Sequence, residues 1–328
     1  MLNLENIKNK SLQKKSLTIQ ECEKILDFPD NDILLLLHSV FQVRKHFTGN
    51  KVQVQMLMNA KSGFCSEDCH YCSQSCISKA EIEKYPLNST KKLVEGAKKA
   101  KKNNAIRYCM ALSNVRYSDK IIDTLTSAIK QIKKEVGISV CCSLGFLTEK
   151  QAEKLKKAGL DRINHNLNTS KKHYSNICTT HKYEERIKNI KLCQDKGLEI
   201  CCGGIIGLGE SREDVIDMLL ALKKINPESI PLNFLIPIKG TPLENGGKDL
   251  SPQYCLKVLC LARFLHPDKD IRVAGGREYR LRTLQPLALY PANSIFVSGY
   301  LTTDGQLADE GIQMIKDMGF ELEIEGIS

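Results

Sequence analysis

Tryptophan is absent from this 328-residue sequence, and aromatic residues make up only 6% of it. Without aromatic platforms or clustered arginines, the formal charge of +10 does not read as a nucleic-acid surface. The excess is mostly lysine on amphipathic segments, as at Lys91, Lys92, Lys98, Lys99, Lys101 and Lys102, which is the pattern of a solvated helix face. Long apolar runs are missing too. The stretch from Ile33 to Leu37 is bracketed by Asp30, Asp32 and His38, and residues 1–15 have no apolar centre, so neither a membrane span nor a signal peptide is expected. There is no Ser-His-Asp set, no paired-carboxylate constellation and no helical H-E-x-x-H motif. The glycine-rich stretch 203–210 lacks the Lys-Ser/Thr of a P-loop. A soluble cytoplasmic protein without conventional hydrolytic machinery is expected.

What the sequence has in excess is cysteine. In a reducing compartment, 14 cysteines are not expected to form structural disulfides, which leaves metal, redox or catalytic roles. Thiolate ligands for iron or zinc are the leading idea.

Residues 1–50 read as a helical extension, with Ile25, Leu26, Ile33, Leu36, Leu37 and Val40 at helical spacing. From there to residue 328, short β-rich runs alternate with amphipathic helical patterns. The runs are 52–58, 106–110, 138–142, 162–166, 198–202, 230–235, 271–274 and 294–297. Helical patterns fall at 90–102, 119–135, 149–157, 183–196, 212–224 and 252–264. This alternation predicts an α/β fold, a (β/α)8 TIM-type barrel over 51–328, with its site at the C-terminal ends of the strands.

Strand parity adds a second expectation, because alternate side chains face the lumen and the helices. One parity class is apolar, including Tyr108, Met110, Val140, Cys142, Ile200 and Cys202. The other holds Arg107, Cys109, Ser139, Cys141, Ser143, Asn164, Asn166, Glu199, Cys201, Asn233 and Arg272. An ordinary barrel fills its interior with branched apolar residues, so a lumen lined by Cys, Asn and Arg predicts a site inside the barrel. Cys142 and Cys202 are expected to be buried structural thiols, as are Cys22, Cys178, Cys193, Cys255 and Cys260. His165 falls in the outward class and reads as structural.

The strongest motif is Cys65, Cys69 and Cys72 at C-x3-C-x2-C spacing, directly after the first strand. Three thiolates in one loop can hold three irons of a 4Fe-4S cube and leave the fourth open to a chelating ligand. Zinc would need a fourth close ligand, for which His70 or Cys76 could be proposed. In this setting, C-x3-C-x-aromatic-C resembles the radical S-adenosylmethionine superfamily. Further segments narrow the resemblance to the biotin synthase family: RYCM at 107–110, CCSLG at 141–145, AGLD at 158–161, NHN at 164–166 and CCGGIIGLGE at 201–210. PLN at 231–233, KGTPL at 239–243, RVAGGRE at 272–278 and ANSIF at 292–296 continue it.

The resemblance implies that Cys65, Cys69 and Cys72 hold a 4Fe-4S cluster whose open iron binds S-adenosylmethionine. It implies that Cys109, Cys141, Cys201 and Arg272 hold a 2Fe-2S cluster deep in the barrel. Arginine as a metal ligand is not derivable from side-chain chemistry, since guanidinium is always protonated, and a salt bridge to Glu199 is the ordinary alternative. Tyr71 and Ile205 are implied to lie near the adenine of S-adenosylmethionine, although ordinary loop packing also accounts for Tyr71. Asn166 and Asn168 are implied for the nucleoside; many family members carry Asp at the latter position. Asn164 and Asn233 are implied to meet the ureido ring of dethiobiotin. The implied reaction is radical insertion of sulfur into dethiobiotin, in a homodimer supplied by a flavodoxin- or ferredoxin-type electron donor. Its rivals are other radical enzymes on the same barrel, such as hydrogenase-maturation or methylornithine-type enzymes, and a plain iron–sulfur carrier or zinc-stabilised module. The first are not expected to match all three lumen cysteines, and the second leaves the Asn-lined lumen unexplained.

Overall fold

The structure is a computed structural model that describes residues 2–324. The last four positions of the expected barrel domain, 325–328, lie outside the described residues. Three helices come first: α1 (Leu4–Leu12), α2 (Ile19–Leu26) and α3 (Ile33–Thr48). Thr18 starts α2 with a capping box, its hydroxyl accepting from the Glu21 amide while the Glu21 carboxylate accepts from the Thr18 amide. Ile25, Leu26, Ile33, Leu36, Leu37 and Val40 are all buried, in one continuous core with the barrel helices.

Strands and helices then alternate: β1 (Lys51–Lys61), α4 (Thr90–Lys102), β2 (Arg107–Leu112), α5 (Asp119–Glu135), β3 (Ser139–Ser143), α6 (Glu149–Lys157), β4 (Arg162–Asn164) and α7 (Tyr183–Asp195). They continue with β5 (Glu199–Cys201), β6 (Gly204–Ile206), α8 (Arg212–Ile225), β7 (Ser229–Phe234), α9 (Pro252–Leu265), β8 (Asp270–Val273), α10 (Arg277–Leu281) and β9 (Ser294–Val297). Ser89, Thr148, Ser211 and Ser251 cap α4, α6, α8 and α9 through hydroxyls that accept from amides three residues on. All strand pairings are parallel, and β1 pairs with both β2 and β9, which closes the barrel.

β5 and β6 keep a single register against β7, with Cys201 opposite Ser229 and Gly204 opposite Leu232. They are one barrel strand, interrupted where its partner is Pro231, which has no N–H to give to a ladder. There the backbones crowd, and a Cβ on Gly203 would lie 1.9 Å from the Pro231 carbonyl oxygen. The closed barrel therefore has the eight expected strand positions.

After β9 come α11 (Ala308–Asp317) and β10 (Glu321–Leu322), which pairs with the start of β1. Arg44 of α3 donates to the carbonyls of Ala292 (3.1 Å), Gly49 (3.1 Å) and Lys51 (2.8 Å), and its guanidinium lies 4.6 Å from the centre of the Phe320 ring. Helix α3 and the segment around Phe320 and β10 are thus fastened at the N-terminal end of the barrel, leaving the C-terminal end to the loops that build the site. Among the described residues no helix is long and apolar enough to cross a membrane.

Candidate active site

The lumen is polar because the strand parity is as the sequence predicts. Cys109 and Cys141 are paired across β2 and β3, and Cys201 is paired with Asn164 across β4 and β5. Their neighbours Cys142 and Cys202 belong to the continuous apolar core, whereas Cys109, Cys141 and Cys201 are buried but not part of it. Burial pushes the Cys142 and Cys202 thiols far up, as befits inert packing groups. At Cys141 the direction is the opposite. A hydrogen bond with Cys109, with Arg107, Arg162 and Arg272 behind it, pulls that thiol down against the effect of burial.

Arg272 comes up from β8 among these thiols. It donates to Ser229 Oγ (2.8 Å) and Ser294 Oγ (3.3 Å), and its Nη1 lies 3.6 Å from Cys201 Sγ. The alternative salt bridge to Glu199 does not form: that carboxylate is taken by Arg162 at 2.8 Å and Arg107 at 3.7 Å. Nε and Nη1 of Arg107 are buried without a partner. Three guanidiniums, three inward thiols and two orphaned donors make a floor suited to an anionic iron–sulfur group, since buried donors left unpaired are costly.

At the mouth, the loop after β1 carries Cys65, Cys69 and Cys72, and all three line the same cavity of about 380 Å³ as the floor residues Cys109, Cys141 and Arg272. The Cys72 amide donates to the Cys69 carbonyl (3.1 Å) and the Cys76 amide to the Glu67 carbonyl (2.9 Å), which curls the loop. Neither His70 nor Cys76 lines the cavity, and Cys76 is exposed, so neither supplies the close fourth ligand that zinc would need. Three thiols lining one cavity, with neither His70 nor Cys76 beside them there, fit a cube with one open iron.

Between mouth and floor stand the asparagines. Asn164 Oδ1 accepts from Ser143 Oγ (3.0 Å), and its Nδ2 donates to Asn166 Oδ1 (3.2 Å) and lies 3.2 Å from Cys201 Sγ. Asn166 Oδ1 also accepts from the Gly203 amide at 3.1 Å. Asn168 lines the cavity from a left-handed conformation, φ 71°, which asparagine tolerates better than most side chains. Asn233 spans two backbones, donating to the Gly204 carbonyl (3.1 Å) and accepting from the Gly275 amide (2.9 Å). Tyr71 and Ile205 pack against the same small apolar cluster of Ile177, Leu208 and Leu235.

His165 departs from the sequence expectation. β4 ends at Asn164, and beyond it the ring borders the cavity, its Nδ1 bonded to the Leu144 carbonyl at 3.1 Å. Burial pushes its pKa down to about 3, so it is a neutral imidazole.

Several residues that border the site carried no sequence signal. Tyr300, Leu301, Thr302 and Thr303 cover part of the mouth, Thr302 sharing a 2.7 Å hydrogen bond with Ser73 of the cysteine loop. Arg186 of α7 turns inward, donating to the Asn166 carbonyl (3.0 Å) and to His181 Nε2 (2.8 Å). His181 Nδ1 lies 2.5 Å from Glu67 Oε2 and 3.4 Å from Cys178 Sγ. This buried Glu, Cys and His set has the composition of a metal site. Because Arg186 occupies Nε2, however, the imidazole proton sits on Nδ1 and points at Glu67, leaving no lone pair for a cation. The set is a hydrogen-bonded anchor for the cysteine loop. Cys178, expected to be plain packing, lies with its sulfur 3.8 Å from that of Cys69.

The chain is similar to known proteins over nearly its whole length. The family model of the radical SAM superfamily matches residues 60–222, and that of the Biotin and Thiamin Synthesis associated domain matches residues 231–321. Biotin synthase of Bacillus subtilis subsp. natto is 51% identical over 315 residues, 96% of this chain and 94% of that one. Biotin synthase of Geobacillus kaustophilus (strain HTA426) is 49% identical over 307 residues, 94% of this chain and 92% of that one. Among solved structures, methylornithine synthase superposes with a TM-score of 0.84 at 18% identity over 97% of both chains. The FeFe-hydrogenase maturase HydG from Carboxydothermus hydrogenoformans gives 0.83 at 18% identity, over 98% of this chain and 79% of its own. At such identities the two structures show a shared barrel and nothing more. Half-identity over nearly the full length decides among the proteins that use this barrel: the chain belongs to the biotin synthase family of radical S-adenosylmethionine enzymes.

Proposed function

We propose that this chain carries out its family's reaction, the conversion of dethiobiotin to biotin, within the barrel lumen. The observation that carries the reading is the segregation of thiols along one cavity, Cys65, Cys69 and Cys72 at the mouth and Cys109 and Cys141 with Arg272 on the floor, where Cys201 Sγ lies 3.6 Å from the Arg272 guanidinium. The family uses a 4Fe-4S cluster, a 2Fe-2S cluster and S-adenosylmethionine. When bound, these supply a carbon radical able to open an unactivated C–H bond, and the sulfur that takes the place of hydrogen.

The residues take separate parts. Cys65, Cys69 and Cys72 would hold the 4Fe-4S cluster, and Cys109, Cys141, Cys201 and Arg272 the 2Fe-2S cluster. Tyr71 and Ile205, sharing one apolar cluster, would receive the adenine, with Asn166 and Asn168 at the nucleoside. Asn164 and Asn233 would face the ureido ring of dethiobiotin, since an amide offers a urea both donor and acceptor. His165, neutral and donating its Nδ1–H to the Leu144 carbonyl, is not an imidazolium acid at neutral pH. The segment Tyr300–Thr303 borders the mouth of the cavity.

The same reading divides the chain into a supporting extension, 1–50, and a catalytic barrel, 51–328. It makes the protein a cytoplasmic homodimer that receives electrons from a flavodoxin- or ferredoxin-type donor.

Iron analysis tests the assignment. Anaerobically reconstituted protein binds about six irons per chain in two spectroscopically distinct clusters. Replacing Cys65, Cys69 and Cys72 together with Ala leaves about two and abolishes cleavage of S-adenosylmethionine. Loss of both clusters as one unit contradicts two separate sites.

A further inference from the structure

We propose that in the cluster-free protein Cys69 and Cys178 form a reversible disulfide, which takes one of the three mouth ligands out of service until it is reduced. The inference rests on the reading of Cys69 as a cluster ligand. Its geometry does not.

The two sulfurs lie 3.8 Å apart and both residues are buried. A disulfide needs about 2.05 Å, so the sulfurs must close by about 1.8 Å. What fixes them near each other is not the thiols themselves but the chain on either side. The His70 amide donates to the Ile177 carbonyl (2.9 Å), and the Thr179 amide to Asp68 Oδ1 (2.9 Å). The Thr180 hydroxyl donates to Glu67 Oε2 (2.7 Å), and His181 Nδ1 to the same oxygen (2.5 Å). Residues 67–70 and 177–181 are therefore stitched together by carboxylates and backbone on both sides of the sulfur pair. Cys69 keeps Cys178 as its neighbour whether or not it ligates iron. His181 Nδ1 at 3.4 Å and Thr180 Oγ1 at 3.5 Å hold the Cys178 sulfur on this side of its loop.

The step is a two-electron oxidation. The two S–H bonds break, one S–S bond forms, and two protons and two electrons leave. Molecular oxygen accepts them as hydrogen peroxide. A low-molecular-weight disulfide accepts them as two thiols, through a mixed disulfide on one of the two cysteines. A dithiol reductant reverses the step. The functional consequence is that iron cannot re-enter the mouth of the oxidised chain, while the floor cysteines Cys109, Cys141 and Cys201 are untouched.

The test uses the full chain, stripped of iron and reduced under anaerobic conditions, then exposed to oxidised glutathione. Free thiols are alkylated, and the unreduced digest is mapped by mass spectrometry. The expected result is a cross-linked peptide pair containing Cys69 and Cys178, two hydrogens lighter than the separate peptides and removed by dithiothreitol. Cys178 should lose most of its alkylation. Pairing of Cys69 chiefly with Cys65 or Cys72, or a Cys178 that stays fully alkylated, overturns the proposal. A second measurement needs no variant: offered iron and sulfide without a thiol reductant, the oxidised chain takes up about a third of the iron that the reduced chain does, the 2Fe-2S share of the six. Equal uptake also overturns it. The ligand assignment fails separately: if Cys69→Ser still loads the full complement of iron, the reading of Cys69 as a ligand is wrong even where the disulfide maps as stated.

Discussion

Lowering the pH from 7 to 5 should weaken the fold by about 2 kcal/mol for each of two buried imidazoles. His266 is 4% exposed with its Nε2 3.0 Å from the Leu219 carbonyl, and His165 is 3% exposed with its Nδ1 3.1 Å from the Leu144 carbonyl. Burial is the leading cause that pushes both from 6.5 to about 3. Between those values the unfolded chain takes up a proton and the native chain does not. Stability from each group is therefore complete above about 6.5 and falls as the pH drops toward 3. Integrating the difference from pH 7 to pH 5 gives about 1.9 kcal/mol per group. His181, Glu210 and Glu323, all shifted upward, act with the opposite sign, so the effect must be read as a difference. His266→Gln keeps a donor for the Leu219 carbonyl and cannot titrate. In urea unfolding at pH 7, 6 and 5, the stability of that variant relative to the parent should improve by about 2 kcal/mol across the range. A difference that stays constant with pH would refute the reasoning for His266.

Asn233→Ala should weaken dethiobiotin binding by about 1–3 kcal/mol in calorimetric titration, and should also lower stability, because the Gly204 carbonyl and the Gly275 amide lose their partner. Unchanged affinity would remove Asn233 from the site. Gly203→Ala should cost about 3 kcal/mol, since its Cβ would meet the Pro231 carbonyl oxygen at 1.9 Å and no rotamer relieves a clash with backbone. A parental denaturation midpoint would mean that β5 and β6 are not held to β7 as described.

The barrel was legible because two periodicities agree. Period-2 runs marked all eight strand positions, and the helical pattern marked α4, α5 and α6 to the residue. Parity goes further, separating Cys141 from Cys142 and Cys201 from Cys202. β6 was hidden inside the glycine-rich stretch, because the interruption comes from Pro231 on another strand. The inward turn of Arg186 and the Glu67, Cys178 and His181 contacts were hidden for a related reason. They arise where two loops meet, about 110 positions apart in sequence, and no local period encodes such a meeting. His165 is buried and tied to a carbonyl, as a structural histidine should be, but it also borders the cavity, which parity did not indicate.

The central claim is that one lumen carries two clusters and that alternation along β3 and β5 decides which thiols hold the second. Iron content and dethiobiotin turnover of Cys141→Ala, Cys142→Ala, Cys201→Ala and Cys202→Ala, measured side by side, test it most directly. Cys141→Ala and Cys201→Ala should each lose the visible absorption of the 2Fe-2S cluster and all biotin formation while the 4Fe-4S cluster still binds S-adenosylmethionine. Cys142→Ala and Cys202→Ala should keep both clusters and lose only about 1 kcal/mol of packing. A second cluster emptied by Cys142→Ala or Cys202→Ala, and kept when the neighbouring cysteine is replaced, would contradict the account.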